Sequence, residues 1–206
     1  MSVKLTILIP VWNQEELVIK ALDHLPRRDD IEVIVRDDGS TDNTLANLIR
    51  YKEEHPELNL QVYSNGENKG VAYTKNQMLK IASGEYIHIH DSDDYVHTQE
   101  YSEIIDSLDG TDDIVYMDLE INNGQYFTLG EFTKAAYCAQ TARFLRREFV
   151  KGLEFKESIT NGGDDRPYND ECLARDPVNR FTHIPAYHYN YPREGSLYDL
   201  MVKGIR

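Results

Sequence analysis

The sequence has few cysteines and no long hydrophobic run, and both absences exclude classes of protein. Its 206 residues include two cysteines, Cys138 and Cys172, which form no CxxC pair and no zinc-binding spacing. Two thiols in a chain of this length are typical of a reducing compartment, so we expect a cytoplasmic protein. The longest apolar stretch near the N-terminus covers residues 5–12. It is far shorter than the ~20 residues of a membrane span and lacks the features of a signal peptide, so we expect no transmembrane segment.

Positive charge is also scarce. The chain has 22 Lys and Arg against 36 Asp and Glu, which gives a formal net charge of −14. This balance argues against a protein that coats nucleic acid by bulk charge, and it suits one that binds divalent cations. With about 150 residues as a typical domain size, the length predicts a single domain over residues 1–206.

The first hundred residues alternate apolar strands with helices. Strands are predicted at 3–9, 31–35, 58–63 and 85–90, and helices at 15–25, around Leu45–Ile49 and at 71–82. This order predicts an α/β fold with a parallel sheet, whose ligands bind beyond the carboxyl ends of the strands. The pattern is weaker further on, with helices predicted at 99–108, 146–151 and 169–174 and strands at 113–117, 125–128, 135–144 and 181–191.

Three polar clusters follow three of these strands. Asp91 and Asp93 can converge on a hard cation such as Mg²⁺, or they belong to a solvated acidic turn. Asp37 and Asp38 suit a base N–H or a ribose hydroxyl, or they form a turn. The loop around Lys69 precedes a helix and suits a phosphate or a base carbonyl, or it is simply a polar loop.

The second half holds further candidates. A carboxylate among residues 164–171 can act as a general base, although acidic residues also favour a helix N-terminus. His188, or else His183, can complete a metal site as a neutral imidazole. His88 and His90 share one face of a strand and are more typical of a hydrogen-bonded core. The basic residues of 143–151 predict a solvated cationic face.

Taken in order, the motifs resemble those of the inverting family-two glycosyltransferases, which have the GT-A fold. The match is firm over the first half of the chain and looser beyond it. The segments that carry it are Ile-Pro-Val-Trp-Asn at 9–13, Asp-Asp-Gly-Ser-Thr-Asp at 37–42, Asn-Lys-Gly at 68–70, Thr-Lys-Asn at 74–76, Asp-Ser-Asp-Asp at 91–94 and Asn-Asp-Glu at 169–171.

The resemblance implies an architecture and an activity. The expected fold is a GT-A, Rossmann-like and mostly parallel sheet flanked by helices. Residues 1–98 would form the nucleotide-sugar half and residues 99–206 a short acceptor-side half. The implied activity is that of a hexosyl- or pentosyltransferase. It would move a sugar from a nucleotide-sugar, a UDP-sugar above all, to an acceptor hydroxyl with inversion and with Mn²⁺ or Mg²⁺ as cofactor.

The resemblance also implies roles for single residues. Asp93 would be the direct metal ligand, with Asp91 beside it and His188 as a possible third. Asp170 would be the catalytic base, but Asn169 stands where the family has Glu, so Asp165 and Glu171 remain alternatives. The residues implied to bind the nucleotide-sugar are Pro10, Asn13, Asp37, Asp38, Lys69, Asp91 and Ser92.

Other functions fit the sequence less well. The chain lacks GxGxxG and GxxxxGK[ST], which disfavours dehydrogenases and P-loop enzymes. A non-catalytic nucleotide-sugar binding module is the main alternative. The acceptor stays open among a glycan, a lipid-linked glycan, a protein and a hydroxymethylated base in DNA. The last is implied by a resemblance to small, Tyr-rich transferases, its only support in the sequence is the basic 143–151 segment, and the net charge opposes it. The oligomeric state also stays open.

Overall fold

The computed structural model describes residues 2–128, 140–157 and 165–191. Its strands are β1 (Leu5–Val11), β2 (Ile31–Asp37), β3 (Leu60–Ser64), β4 (Tyr86–Ile89), β5 (Tyr95–Val96), β6 (Ile114–Ile121), β7 (Tyr126–Phe127), β8 (Arg143–Arg146) and β9 (Asn179–Tyr189). Its helices are α1 (Leu17–Asp23), α2 (Thr44–Glu54), α3 (Val71–Leu79), α4 (Thr98–Asp106), α5 (Arg147–Val150) and α6 (Asp165–Leu173).

The described strands form one mixed sheet in the order β3-β2-β1-β4-β8-β6-β9-β5, with β7 paired to β6. Strands β1 to β4 pair in parallel. Strand β8 joins β4 and β6 in antiparallel fashion, β9 runs parallel to β6, and β5 runs antiparallel to β9. The parallel sheet expected from the first half is therefore confirmed, and the second half extends it as a mixed sheet.

Strand β1 lies at the centre of the parallel part, and all seven of its residues are buried. Helix α1 buries Val18, Ala21 and Leu22, which share one helical face because they are three and four residues apart. Pro10 is tolerated in this strand because the pairing with β4 ends at Leu8, so no ladder partner on that side needs its missing N–H. The carboxyl ends of β1, β2 and β4 thus come together at one edge.

The elements of the first half begin within two residues of their expected positions, because buried strands and amphipathic helices leave a local pattern. Strand β5, at the end of the first half, was not expected, and the second half differs more. Helix α6 is described from Asp165, four residues before the expected 169. Of the expected strand at 135–144, residues 135–139 lie outside the described part of the chain.

The prediction of a solvated basic face over 143–151 was wrong. Arg143 is 1% exposed and donates to the side chains of Gln140 and Asn169. Arg146 pairs with Asp113, and the Nε of Arg147 donates to the carbonyl of Gly84 at 2.7 Å. Residues 143–146 form β8 inside the sheet and residues 147–150 form α5, which confirms the expected short helix, while the three arginines make internal contacts.

Gly84 is the tightest point of the turn before β4. Its N–H donates to Thr6 Oγ1 at 2.8 Å, and a methyl group in place of its hydrogen would meet the backbone of Leu5 and Thr6. We expect Gly84→Ala to destabilise the fold by about 1–3 kcal/mol, because this backbone cannot retreat without breaking the β1–β4 pairing. The measurement is the urea midpoint. Gly66→Ala is the control, since Gly66 has a φ of +76° but open space around it. Gly84→Ala should lose more stability than Gly66→Ala, which carries only the strain of its positive φ, and an unchanged midpoint in Gly84→Ala would contradict the steric explanation.

Candidate functional site

The loops after β1 and β2 are joined to each other. Asn13 has a φ of +51°, a left-handed conformation that Asn accepts more readily than most residues. Its backbone N–H donates to Ser40 Oγ at 2.9 Å, and its side-chain Oδ1 accepts from the backbone N–H of Thr41 at 2.8 Å. Asn13 therefore fixes the two loops as one wall at the carboxyl edge of the sheet.

Asp37 is a turn-forming residue. It is 1% exposed, and its carboxylate accepts from the N–H groups of Gly39 and Ser40 and from Ser64 Oγ at 3.0–3.2 Å. These bonds occupy the carboxylate inside the protein. Asp37 and Asp38 were both predicted to bind a nucleotide, and the hydrogen bonds of Asp37 instead stabilise the loop after β2.

Asp38 fastens the loop that follows β3. Its carboxylate accepts from Asn65 Nδ2 at 2.7 Å and from the N–H groups of Lys69 and Gly70, each at 2.9 Å. The Lys69 side chain itself is exposed and pairs with Glu67, whose carboxylate raises the pKa of the lysine. The structure thus brings Asp38 and the 65–70 loop together, as the strand-end pattern predicted, through the backbone of Lys69.

The acidic turn after β4 is a compact carboxylate cluster. The nearest side-chain oxygens of Asp91, Asp93 and Asp94 lie within 4.8 Å of one another. Asp91 and Asp93 are partly exposed, whereas Ser92 between them is buried. Three carboxylates this close repel one another, a cost that a bound cation relieves. Their hard oxygen ligands fit Mn²⁺ or Mg²⁺.

Asp94 is the member of this cluster that the sequence analysis missed. It is 2% exposed and accepts from the Tyr187 hydroxyl at 2.6 Å and from the backbone N–H of Asn190 at 2.8 Å. Burial, together with the neighbouring Asp91 and Asp93, raises its pKa. Its two hydrogen bonds tie the acidic turn to the end of β9. Its place as the fourth residue of the Asp-Ser-Asp-Asp run is the sequence feature that could have indicated its part in the cluster.

His88 and His90 are core residues, as predicted. The Nε2–H of His88 donates to the Thr141 carbonyl at 2.5 Å, which leaves Nδ1 to accept from the Tyr101 hydroxyl. The Nδ1–H of His90 donates to the Asp91 carbonyl at 2.7 Å. Burial lowers the pKa of His88 to about 3 and that of His90 to about 4, so both rings are neutral near pH 7.

The three candidates for the base lie in different surroundings. Asp165 Oδ1 is 2.8 Å from Nζ of Lys75, a buried lysine on α3. Asp170 is exposed, and Glu171 pairs with Lys156 near the surface. Asn169, where the family pattern has Glu, is buried and accepts from Arg143. Asp165 is therefore the candidate that contacts the helix following the 65–70 loop.

The contact between Asp165 and Lys75 is close to the anchor of that loop. Asn65 Nδ2, which donates to Asp38, also donates to Thr74 Oγ1 at 2.8 Å. Thr74 precedes Lys75 in α3. Asn76, the next residue, exchanges two 2.8 Å hydrogen bonds with the backbone of Phe155. Adjacent residues of α3 thus join the strand-end loops to the second half of the chain.

His188 does not join the acidic turn. The structure groups it with His97 and Glu120 instead. The reason is the alternation of β9, which directs Tyr187 toward Asp94 and the next side chain, that of His188, to the opposite face. His183 is likewise elsewhere, with Nδ1 3.9 Å from Asp118.

A mixed sheet with flanking helices, with polar loops and an acidic turn at its carboxyl edge, defines a GT-A fold. The chain belongs to glycosyl transferase family 2, whose family model matches residues 6–155. Within the described part of the chain, no helix combines the length and the apolar character that crossing a membrane requires.

Similar proteins were found by sequence and by structure. A poly(ribitol-phosphate) beta-glucosyltransferase of Bacillus spizizenii is 40% identical over 47% of this chain and 16% of its own length. TarS of Staphylococcus aureus, a poly(ribitol-phosphate) beta-N-acetylglucosaminyltransferase, is 29% identical over 93% of this chain and 36% of its own. The chain thus spans only about a third or less of these two relatives.

Two solved structures share the fold. The crystal structure of TarS 1–349 in complex with UDP-GlcNAc superposes with a TM-score of 0.77 at 22% identity, covering 94% of this chain and 60% of that one. The mannosyltransferase PcManGT of Pyrobaculum calidifontis, in complex with GDP-Man and Mn²⁺, gives a TM-score of 0.72 at 22% identity, covering 93% and 58%.

Proposed function

We propose that this chain is a metal-dependent, inverting glycosyltransferase that moves a sugar from a UDP-sugar to an acceptor hydroxyl. The observation that carries the proposal is the cluster of Asp91, Asp93 and Asp94 at the carboxyl end of β4, in a chain that belongs to family 2. TarS with UDP-GlcNAc and PcManGT with GDP-Man and Mn²⁺ support a nucleotide-sugar donor. We assign donor binding to residues 1–98 and acceptor binding to residues 99–206, as one domain in the cytoplasm.

Asp93 and Asp91 are the proposed metal ligands. Both are partly exposed, so their oxygens are accessible from solvent, whereas Asp94 is buried and bonded to Tyr187 and Asn190. When bound, Mn²⁺ or Mg²⁺ supplies positive charge against the diphosphate that leaves the sugar. Asp94 holds the turn in place, and buried Ser92 lies between the two ligands.

The donor pocket is proposed to lie between the loops after β1, β2 and β3. Pro10 and Asn13 border it, and Asn13 also fixes the distance between two of these loops. Asp37 shapes the β2 loop, and Asp38 anchors the 65–70 loop on which exposed Lys69 lies near the base. In this proposal the carboxylates of Asp37 and Asp38 act mainly by positioning backbone N–H groups toward the nucleotide.

We propose Asp165 as the catalytic base in preference to Asp170 and Glu171. A base removes the acceptor's proton as the hydroxyl attacks the anomeric carbon opposite the departing diphosphate, which inverts the configuration. Asp165 contacts Lys75 on α3, beside the donor loops, whereas Asp170 is exposed and Glu171 is paired with Lys156. Lys75 Nζ lies 2.8 Å from Oδ1 of Asp165 and holds this carboxylate in position beside α3.

The acceptor is proposed to be a hydroxyl of a glycan or polyol polymer. The named relatives act on poly(ribitol-phosphate). A base in DNA is disfavoured, because Arg143, Arg146 and Arg147 are spent on internal contacts and the net charge is −14. A net negative charge of this size repels the phosphate backbone of DNA.

The test is UDP release from UDP-glucose and UDP-GlcNAc, measured with Mn²⁺ or Mg²⁺ and with EDTA, with and without poly(ribitol-phosphate). The proposal predicts metal-dependent release that the acceptor accelerates. Tight, metal-dependent UDP binding with no release from either donor would instead favour the non-catalytic binding module. Proton NMR of the product gives the anomeric configuration, and an α-linked product would contradict inversion because these donors carry α-linked sugars.

Asp38→Ala is expected to weaken UDP binding about 5- to 150-fold, corresponding to about 1–3 kcal/mol, with or without metal. The substitution removes the acceptor for Asn65 and for the N–H groups of Lys69 and Gly70, so the loop loses its fixed position. Isothermal titration measures the affinity. Asp42→Ala is the control, because Asp42 is exposed in the same loop and bonds only the start of α2 among the described contacts. Unchanged affinity in Asp38→Ala would place the nucleotide elsewhere.

A further inference from the structure

Three potential metal ligands meet at the β5 edge of the sheet, in a group distinct from the acidic turn. His188 on β9 lies directly opposite Tyr95 of β5 on one side and Glu120 of β6 on the other. His97 follows β5, and its Nε2 is 3.0 Å from Glu120 Oε2. The ligand atoms of His97, Glu120 and His188 all lie within 4.8 Å of one another. Three segments of the chain thus place two imidazoles and a carboxylate together.

The hydrogen bond on the far side of His188 fixes which ring nitrogen faces the cluster. Its Nε2 is 3.0 Å from Asn122 Oδ1, and the amide of Asn122 is oriented by donation from its Nδ2 to Asn190 at 2.9 Å. An amide oxygen only accepts, so Nε2 must carry the proton. Nδ1 therefore presents a lone pair to the cluster. A ligating histidine is typically held in this way by a second hydrogen bond.

The lone pair of Nδ1 has no hydrogen-bond partner, although the atom is buried. Its nearest ionic neighbour is Glu120 Oε2, at 3.6 Å. A carboxylate oxygen is also electron-rich, so the two atoms repel each other unless a positive charge lies between them. The His97–Glu120 contact explains the positions of those two residues, but it leaves the buried nitrogen of His188 unexplained.

We infer that His97, Glu120 and His188 form a second metal site, selective for Zn²⁺ or a similar transition-metal ion and separate from the Asp91–Asp93 cluster. Two imidazoles and one carboxylate are a known ligand set for Zn²⁺, whereas carboxylates alone favour Mg²⁺ or Mn²⁺. Bonds of about 2.0–2.2 Å to a tetrahedral ion place ligand atoms roughly 3.3–3.5 Å apart. The two separations from Glu120 Oε2, 3.0 and 3.6 Å, bracket this range.

The surroundings suit an ion that reaches the site from solvent. The side chains of His97, Glu120 and His188 are 31%, 18% and 10% exposed, so the cluster is open on the His97 side. The ring of Tyr95 stacks on His188 with centroids 4.2 Å apart and holds the imidazole in plane. Nζ of Lys20 also lies over the ring of that tyrosine, 4.6 Å from its centroid, and is a charge that opposes a cation. The ion would join β5, β6 and β9, and β5 directly follows the acidic turn.

The inference does not depend on the proposed transferase activity, and it is tested by binding. The metal-free full chain is titrated with Co²⁺, whose visible absorption bands report nitrogen ligands, and with Zn²⁺ while thermal unfolding is followed. The same titrations are run on Asp91→Asn/Asp93→Asn, which removes the other cluster. We expect one Co²⁺ per chain with visible bands in both proteins, and an unfolding midpoint that rises with Zn²⁺ concentration.

His97→Ala and Glu120→Gln are expected to abolish the Co²⁺ bands and the Zn²⁺ stabilisation. Asn122→Leu is expected to weaken binding roughly 10- to 100-fold, because it frees the orientation of His188. His55→Ala is the matched control. His55 also pairs with a glutamate, Glu57, but it belongs to no cluster of three potential metal ligands among the described residues. His97 is partly exposed, so His97→Ala keeps the fold, and circular dichroism without metal verifies this.

Either of two results would overturn the inference. One is that the Co²⁺ bands disappear in Asp91→Asn/Asp93→Asn but persist in His97→Ala, which assigns the ion to the acidic turn. The other is that the wild-type chain gives neither bands nor stabilisation at Co²⁺ and Zn²⁺ concentrations up to the millimolar range. In that case Glu120 and its two histidines are an ordinary hydrogen-bonded group.

Discussion

Asp165→Asn is expected to abolish sugar transfer while leaving UDP-sugar binding nearly unchanged. The amide keeps the size of the side chain and an oxygen for Lys75, which is 2.8 Å from Oδ1 in the wild-type chain. It cannot take a proton from the acceptor at the moment of attack. General-base catalysis is typically worth 10²–10⁴ in rate, so turnover should fall by about that factor. The measurement is initial transfer rate at saturating donor and acceptor, beside a donor titration.

Asp170→Asn and Glu171→Gln are the matched controls, because they change carboxylates of the same helix. Both should keep most of the activity, since Asp170 is exposed and Glu171 pairs with Lys156. A dead Asp170→Asn beside an active Asp165→Asn would reassign the base and leave the family membership intact. Full activity in all three variants would contradict a carboxylate base in α6.

The second large effect is expected from Asp93→Asn. It removes one of the two partly exposed carboxylates of the acidic turn, and with it a formal charge that the proposed cation needs. Neutralising the leaving diphosphate is worth several kcal/mol, which corresponds to a loss of transfer rate on the order of 10²–10³. UDP affinity measured with Mn²⁺ should fall toward the value measured with EDTA.

Asp109→Asn is the control for this variant, because Asp109 is an exposed loop residue bonded to Thr111. Its metal dependence should equal that of the wild-type chain. If Asp93→Asn retains wild-type UDP affinity and still responds to EDTA, the functional cation binds elsewhere. The His97–Glu120–His188 cluster would then be the first place to look for it.

Much of the nucleotide half could be predicted because its signals are local. Buried parallel strands give short apolar runs, and the polar residues that follow them lie at one edge by topology. The same reasoning brought Asp38, Lys69 and Asp93 to that edge. The sequence could not assign different roles to Asp37 and Asp38, because two adjacent carboxylates look alike in a sequence. The structure distinguishes them by their donors, since Asp37 accepts from Ser64 and Asp38 accepts from Asn65.

The rest depends on pairings between distant segments. The cluster of His97, Glu120 and His188 forms because β5 and β6 flank β9 in the sheet. The hydrophobic pattern within a single strand does not reveal which strands will be its neighbours. Arginine is usually found at protein surfaces. Arg143 is buried because its strand, β8, is inserted between β4 and β6. The sequence pattern placed the start of α6 at residue 169, whereas the described helix includes Asp165, so the pattern gave no geometric comparison of Asp165 with Asp170. In a helix that includes Asp165, residues 165 and 169 lie on the same face, and residue 170 points about 100° away from residue 169.

The paired imidazoles under the acidic turn limit how the protein tolerates acid. His88 and His90 have folded-state pKa values of about 3 and 4, below the ordinary 6.5. Between those limits the unfolded chain binds more protons than the folded one, so the free energy of unfolding decreases as the pH falls below 6.5. Two neutral rings, one buried within β4 and one buried directly after it, thus make this part of the sheet sensitive to acid.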